Sequence, residues 1–138
     1  MNHKNTKRTP MKIIGTTIDC PDAEALADFY IELLGWTQTY SGNGFVVISA
    51  ADQPSLLVFQ SVENYQKPTW PWQKDTQSQM MHLDFFAPDL DEAVEHAKAC
   101  GAVVSEVQYF DEGGVVMFDP AGHPFCLSDV WEDGLYVK

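Results

Sequence analysis

His82 and Asp84 are the residues of this sequence whose types and spacing could do chemistry together. They alternate with Leu83 and Phe85, and successive side chains of a strand point to opposite sides. Both polar groups therefore face away from the apolar members of the run, which we expect to be buried together with Met81 and Phe86. An imidazole beside a carboxylate can orient a ligand, transfer a proton or bind a metal ion.

A helix is predicted directly after this strand. Asp89 can cap its first turn, with Glu92 three residues later as in a capping box, and Gly101 can end it in the left-handed conformation. Its apolar side chains recur at helical spacing, which predicts a stripe that packs on a sheet. That stripe comprises Leu90, Ala93, Val94, Ala97 and Cys100.

The same design occurs earlier in the chain, where a strand ending at Cys20 precedes a helix that Asp22 can cap and Gly35 can end. Apolar runs after each helix predict three further strands: near 37–40, 45–48 and 56–59 in the first copy, and near 103–109, 115–118 and 124–127 in the second. Two copies of strand, helix and three strands predict an α+β fold built from two tandem βαβββ modules.

This repeat also predicts the domain organisation. We expect a disordered N-terminal tail at 1–10, a single domain at 11–130 and a C-terminal tail at 131–138. Within the domain, module one covers about 11–60, a connector covers 61–79 and module two covers about 80–130. In the connector, Trp70 and Trp72 alternate with prolines and could form an aromatic lid, or could cover a sheet edge or a dimer contact.

Composition excludes several classes of partner. The net charge of −12 argues against nucleic acid, and no apolar run approaches the length of a membrane span. The only arginine, Arg8, lies in the predicted tail, so the domain has no guanidinium with which to clamp an anion. Three cysteines without disulfide or zinc-type spacing indicate a cytoplasmic protein.

The repeated unit, together with the stretches LADFYIELLGW, HLDFFAPDLDEAVEHAKACGA and FDPAGHPFCL, resembles the vicinal oxygen chelate superfamily of glyoxalases, bleomycin-resistance proteins and extradiol dioxygenases. It looks closest to small bacterial proteins with a glyoxalase-like domain, in which a PTWP segment precedes HLD. The resemblance implies that the mixed sheets of the two modules curl around a shared cavity. It also implies a homodimer.

In metal-using members of that superfamily, the ligands come from the first and last strands of each module. Carried over to this sequence, His82 matches the first-strand ligand of module two, whereas the matching position of module one is Gly15. The last-strand glutamate falls at Cys126, and its module-one counterpart falls at Leu56 or Leu57. His82 is thus the only matching ligand position.

We therefore expect no metal cofactor, because catalytic metal sites need at least three protein ligands. A pair of His82 and Cys126 could hold zinc or copper only if a further donor joined it, such as Asp84, Gln60 or a group from a partner chain.

These observations predict a glyoxalase-like protein that binds, and sequesters or modifies, a small organic compound in a metal-free, aromatic-lined cavity. An alternative is an enzyme that uses His82, either a metal-dependent lyase or dioxygenase or a metal-free isomerase with His82 as general base. A non-enzymatic interaction module that uses the tryptophan connector is the third reading. The expected lining residues of the cavity are His82, Asp84, Gln60, Trp70, Trp72, Tyr109 and Cys126.

Overall fold

A computed structural model describes residues 7–132 and the backbone of residues 135–136. Module one contains β1 (Gly15–Cys20), α1 (Ala23–Leu34), β2 (Thr37–Gly42), β3 (Phe45–Ser49) and β4 (Leu56–Ser61). Module two contains β5 (Leu83–Phe86), α2 (Leu90–Cys100), β6 (Val103–Val104), β7 (Gly114–Phe118) and β8 (Pro124–Ser128). A short hairpin of β9 (Trp131–Glu132) and β10 (Leu135–Tyr136) follows.

The two predicted tails lie partly outside the described residues. Of the segment 1–10, which we expected to be disordered, residues 1–6 are not described, and residues 7–14 have no regular secondary structure. Of the C-terminal segment 131–138, residues 133–134 and 137–138 are not described.

Each module folds its strands into a four-stranded mixed sheet of the same topology. The strand order is β1-β4-β3-β2 in module one and β5-β8-β7-β6 in module two. In both sheets the first strand pairs in parallel with the last, and the remaining pairs are antiparallel. The predicted α+β class and the two tandem βαβββ modules are therefore confirmed, and the two sheets remain open rather than closing into one barrel.

Both helices begin and end where the sequence predicts. The Asp22 carboxylate accepts hydrogen bonds from two amides of the first turn of α1, and Asp89 accepts one from the amide of Glu92. Gly35 and Gly101 end the helices with φ angles of 71° and 116°, a conformation that a side chain at Cβ would disfavour. No helix in the described part of the chain is long and apolar enough to cross a bilayer.

Tyr30 of α1 joins the cores of the two modules. Its ring stacks on Phe59 of module one at 5.4 Å between centroids and lies 6.3 Å from both Phe85 and Phe125 of module two. Its hydroxyl donates a 2.7 Å hydrogen bond to Oδ2 of the buried Asp119. The aromatic cluster and this hydrogen bond together hold α1 against the sheet of module two.

The turn between β7 and β8 supplies a second link between the modules. Oδ1 of Asp119 accepts hydrogen bonds from the backbone amides of Ala121 and His123, which fixes the turn. Nε2 of His123 lies 2.6 Å from the carbonyl oxygen of Asp19 on β1 and 3.1 Å from the hydroxyl of Tyr65. Because the Asp19 carbonyl can only accept a hydrogen bond, Nε2 of His123 carries a proton and is the donor. The hydroxyl of Tyr65 donates its hydrogen bond to the Ala121 carbonyl.

The predicted strand at His82 begins later than the alternation indicated. Met81 is 85% exposed and lies before β5, and His82 also precedes the first residue of that strand. Phe86, which we expected on the buried side with Phe85, lies on the face of Asp84 and is 37% exposed. The expectation failed for Phe86 because two consecutive residues of a regular strand cannot share a face.

Replacing Tyr30 by phenylalanine should test the link between the modules. The Tyr30→Phe variant leaves Asp119 buried without its side-chain donor, so we expect a loss of about 1–3 kcal/mol in the free energy of unfolding. Urea denaturation followed by far-ultraviolet circular dichroism measures this loss. Tyr40→Phe, at a 48% exposed position, is the matched control and should change stability by less than about 0.5 kcal/mol. Equal effects of the two substitutions would contradict the assignment.

Candidate functional site

A cavity of about 500 Å³ lies on the face of the second sheet that points away from α2. The pairing of β5 with β8 places Asp84 opposite Cys126 and Phe86 opposite Ser128, so these four side chains share that face. Phe110 and Glu112 from the loop before β7, together with Trp131 of β9, complete the wall. The sheet therefore supplies the floor of the cavity and two less regular segments supply its rim.

A second and larger opening of about 800 Å³ separates the two modules. It lies between β1, the connector and the residues that lead into β5, and both His82 and His123 line it. His82 thus stands at the boundary between this cleft and the cavity on the second sheet, because its ring also contacts Asp84.

His82, Asp84 and Cys126 bring one ligand atom each to within 4.8 Å of one another. Nε2 of His82 lies 3.3 Å from Oδ1 of Asp84. Burial, followed by the charge of Asp84 and a hydrogen bond to it, raises the pKa of the Cys126 thiol to about 11. At neutral pH Cys126 is therefore a protonated thiol beside a carboxylate, which is the opposite of an activated nucleophile.

The imidazole of His82 lies between two oxygen acceptors. Nδ1 is 3.3 Å from Oε1 of Gln79, and Nε2 is 3.3 Å from Oδ1 of Asp84. A neutral ring carries one proton, so it donates a hydrogen bond to one of these oxygens and leaves its other nitrogen as an acceptor or a metal ligand.

The three donors fit a divalent metal ion by type as well as by position. Imidazole, carboxylate and thiolate are all zinc ligands, and a catalytic zinc site uses three protein ligands and one open position. Asp84 is the further donor that a His82 and Cys126 pair requires, and Gln79 orients the imidazole from behind. His82, Asp84 and Cys126 would hold the ion. The expectation that no metal binds stays a prediction.

Among the residues that the structure describes, module one carries no equivalent cluster. If the modules are aligned on their helix caps, Gly15 and Thr17 correspond to His82 and Asp84, and Thr17 pairs with Val58 as Asp84 pairs with Cys126. The register therefore identifies Val58, rather than Leu56 or Leu57, as the counterpart of Cys126. A Cβ atom at Gly15 would also collide with the backbone carbonyl oxygen of Leu56.

The remaining residues expected at the site are distributed more widely. Trp70 lies against His82 and Tyr109, with ring centroids 6.2 and 5.6 Å apart, and its buried Nε1 has no hydrogen-bond partner among the described residues. Trp72 is 73% exposed, and Gln60 sits on β4, where its carbonyl accepts a hydrogen bond from Cys20. Neither of the two cavities is lined by any of the four residues Trp70, Tyr109, Trp72 and Gln60.

Of the residues that line the cavity, the sequence anticipated only Asp84 and Cys126. The unanticipated ones include Phe86, Phe110, Glu112 and Trp131. Strict alternation along β5 places Phe86 on the face of Asp84, so the signal for this residue was present. The other three lie outside the long strands, and their positions depend on how loop and hairpin fold back over the sheet. No periodicity in the sequence indicates that arrangement.

A family model described as the glyoxalase-like domain matches residues 15–128. The chain belongs to this family. The matched segment runs from the first residue of β1 to the last residue of β8, so the glyoxalase-like domain contains both modules and the connector. No functionally curated protein matches the sequence.

Solved structures with the same fold include several proteins of the vicinal oxygen chelate superfamily. FosX, a fosfomycin resistance protein from Listeria monocytogenes, is 17% identical, with a TM-score of 0.66 over 88% of this chain and 91% of that one. That structure is of a variant complexed with Mn(II) and 1S,2S-dihydroxypropylphosphonic acid.

Two further structures match over similar lengths. A glyoxalase/bleomycin resistance protein/dioxygenase family enzyme from Burkholderia phytofirmans PsJN is 16% identical, with a TM-score of 0.62 over 84% of this chain and 97% of that one. Lactoylglutathione lyase from Agrobacterium tumefaciens is 18% identical, with a TM-score of 0.58 over 88% and 95%. At these identities the likeness establishes the fold of the glyoxalase-like chain and leaves its ligand open.

Proposed function

We propose that this glyoxalase-like protein binds a small organic molecule in the cavity on its second sheet. The observation that carries the proposal is the cavity itself: about 500 Å³, with aromatic walls and a few polar groups on a rigid floor. Ligand pockets commonly have this volume and this mixture of apolar walls with a few convergent polar groups. Regular pairing of β5 with β8 fixes the floor, so the cavity does not depend on the ligand for its shape.

Apolar burial supplies most of the affinity in this proposal, and the polar groups set the orientation. Phe86, Phe110 and Trp131 provide ring surface, while Asp84 and the hydroxyl of Ser128 provide acceptors at the floor. Cys126 acts as a neutral thiol, because its raised pKa leaves almost no thiolate at neutral pH. The protein thus sequesters its ligand, or modifies it through groups other than a cysteine nucleophile.

The Phe86→Ala substitution should test the location of the binding site. Indole, a neutral aromatic probe, should shift the NMR signals of the β5 and β8 amides, and Phe86→Ala should weaken its binding severalfold because about 1–2 kcal/mol of ring burial is lost. Phe45→Ala is the matched control, since both phenylalanines are 37% exposed but Phe45 lies on the other sheet. Binding that is unchanged in Phe86→Ala, or weakened equally in Phe45→Ala, would place the site elsewhere.

A divalent metal ion at His82, Asp84 and Cys126 is the second candidate. The convergence of three donor atoms favours it, and the similar FosX structure contains Mn(II). A bound divalent ion would supply Lewis-acid polarisation of a substrate oxygen, as a lyase or dioxygenase of this superfamily requires. Gln79 would then hold the imidazole in its ligating tautomer.

The pH dependence of zinc affinity should test the metal site. Cys126 keeps its proton below a pKa of about 11 and must release it to bind zinc, so the apparent affinity should rise with pH, by about tenfold per unit if the thiol proton alone is released. Competition with a chromophoric chelator between about pH 7 and 9 measures this slope.

The Cys126→Ala variant should lose both the thiol contribution to this slope and most of the affinity, whereas Cys100→Ala on α2 should retain both. Zinc that binds stoichiometrically but with the same slope in Cys126→Ala would contradict the assignment of the thiolate ligand. Failure to retain zinc at any pH would support the metal-free form of the proposal.

We further expect the protein to reside in the cytoplasm, which its three free cysteines support.

We also expect the protein to form a homodimer. β1 and β5 each lie at the end of a sheet, and the apolar residues before them are strongly exposed: Ile13 and Ile14 at 76% and 70%, Met80 and Met81 at 91% and 85%. Open edges beside exposed apolar groups favour pairing between copies. Sedimentation equilibrium should give a dimer that Met81→Lys weakens, and a wild-type monomer at high concentration would contradict this.

A further inference from the structure

The walls of the cavity on the second sheet combine negative charge with aromatic surface. Its lining residues include the carboxylates of Asp84 and Glu112 and the rings of Phe86, Phe110 and Trp131. Within the part of the chain that the structure describes, no lysine, arginine or histidine lines the cavity. The side chain of Asp84 remains 66% exposed although it contacts His82, so part of its carboxylate is available to a ligand.

This combination distinguishes between ligands of different charge. An anion would approach two carboxylates with no basic group among the described lining residues to attract it, and a neutral ligand would remove water from the carboxylates without offering a counter-charge. A cation compensates the carboxylates and is also attracted to the negative faces of aromatic rings. The net charge of −12 on the whole chain adds a long-range attraction for cations.

We propose that the ligand of this cavity is a small organic cation, a protonated amine or a quaternary ammonium group attached to an apolar body. The proposal rests on the proposed function, because it assigns a ligand class to the same cavity. Asp84 and Glu112 neutralise the charged group, and Phe86, Phe110 and Trp131 cover its alkyl substituents and the apolar body. The cavity of about 500 Å³ accommodates such a molecule together with some water.

Three probes of the same branched shape and different charge test this assignment. Choline is the cation, 3,3-dimethylbutan-1-ol is its neutral analogue, and 3,3-dimethylbutanoate is the anion. Binding is followed by NMR at the indole N–H of Trp131, which the Trp131→Phe variant assigns. We expect choline to bind at least about tenfold more tightly than the neutral alcohol, and the anion to bind more weakly than either. Added salt should weaken the binding of choline and leave that of the alcohol nearly unchanged.

Substitution of the two carboxylates then locates the selectivity. Asp84→Asn and Glu112→Gln should each lower the affinity for choline more than the affinity for the alcohol, so that the ratio of the two affinities falls by severalfold. Asp111→Asn is the control, because Asp111 is adjacent to Glu112 in sequence and does not line the cavity. A ratio that Asp111→Asn lowers as much as Glu112→Gln would mean that general surface charge, and not this cavity, selects the cation.

The failure of this proposal is distinguishable from that of the proposed function. Equal affinities for choline and the alcohol in the wild-type protein would overturn the cation assignment and leave the binding cavity intact. If neither probe nor indole perturbed Trp131 or the amides of β5 and β8, the cavity would not be a binding site and both proposals would fall.

Discussion

The buried carboxylate of Asp119 is the constraint on which the rest of this fold depends. One oxygen accepts a hydrogen bond from the hydroxyl of Tyr30 on α1. The other accepts hydrogen bonds from two backbone amides of the turn that precedes β8. Burial raises the pKa of Asp119, and the neighbouring His123 opposes that rise. A carboxylate in such surroundings is tolerated only because its oxygens are bonded, and the partners that satisfy it come from both modules.

This constraint reaches the cavity through the chain that follows the turn. β8 begins immediately after the turn at Pro124, so the geometry imposed at Asp119 sets where Cys126 lies opposite Asp84. The same β8 presents Phe125 to the aromatic cluster around Tyr30 on its other face. A shift of one residue in the register of β8 would move the Phe125 ring to the cavity face and the Cys126 thiol to the core. The packing of the core and the lining of the cavity therefore depend on the same register.

Much of the architecture could be predicted because short-range sequence patterns determine it. The caps at Asp22 and Asp89, the glycines that end the helices and the repeated order of apolar runs each depend on residues within a few positions of one another. The hydrogen bond from Tyr30 to Asp119 joins residues that are 89 positions apart, and the sequence near either residue does not indicate its partner. The lining of the cavity could likewise be predicted only in part. Alternation along the strand placed Asp84 on the cavity floor, whereas Phe110, Glu112 and Trp131 reach the cavity from segments without periodicity.

The absence of a side chain at Gly15 makes the difference between the two modules hard to reverse. Because a Cβ atom there would strike the backbone of Leu56, a histidine at this position needs β4 to move away, and β4 also carries Phe59 beneath the Tyr30 ring. A substitution at Gly15 therefore cannot place a ligand there unless β4 also shifts. Close packing of the sheet at this glycine makes the two modules chemically unequal, so that module two carries the polar cluster and module one supports it as a scaffold.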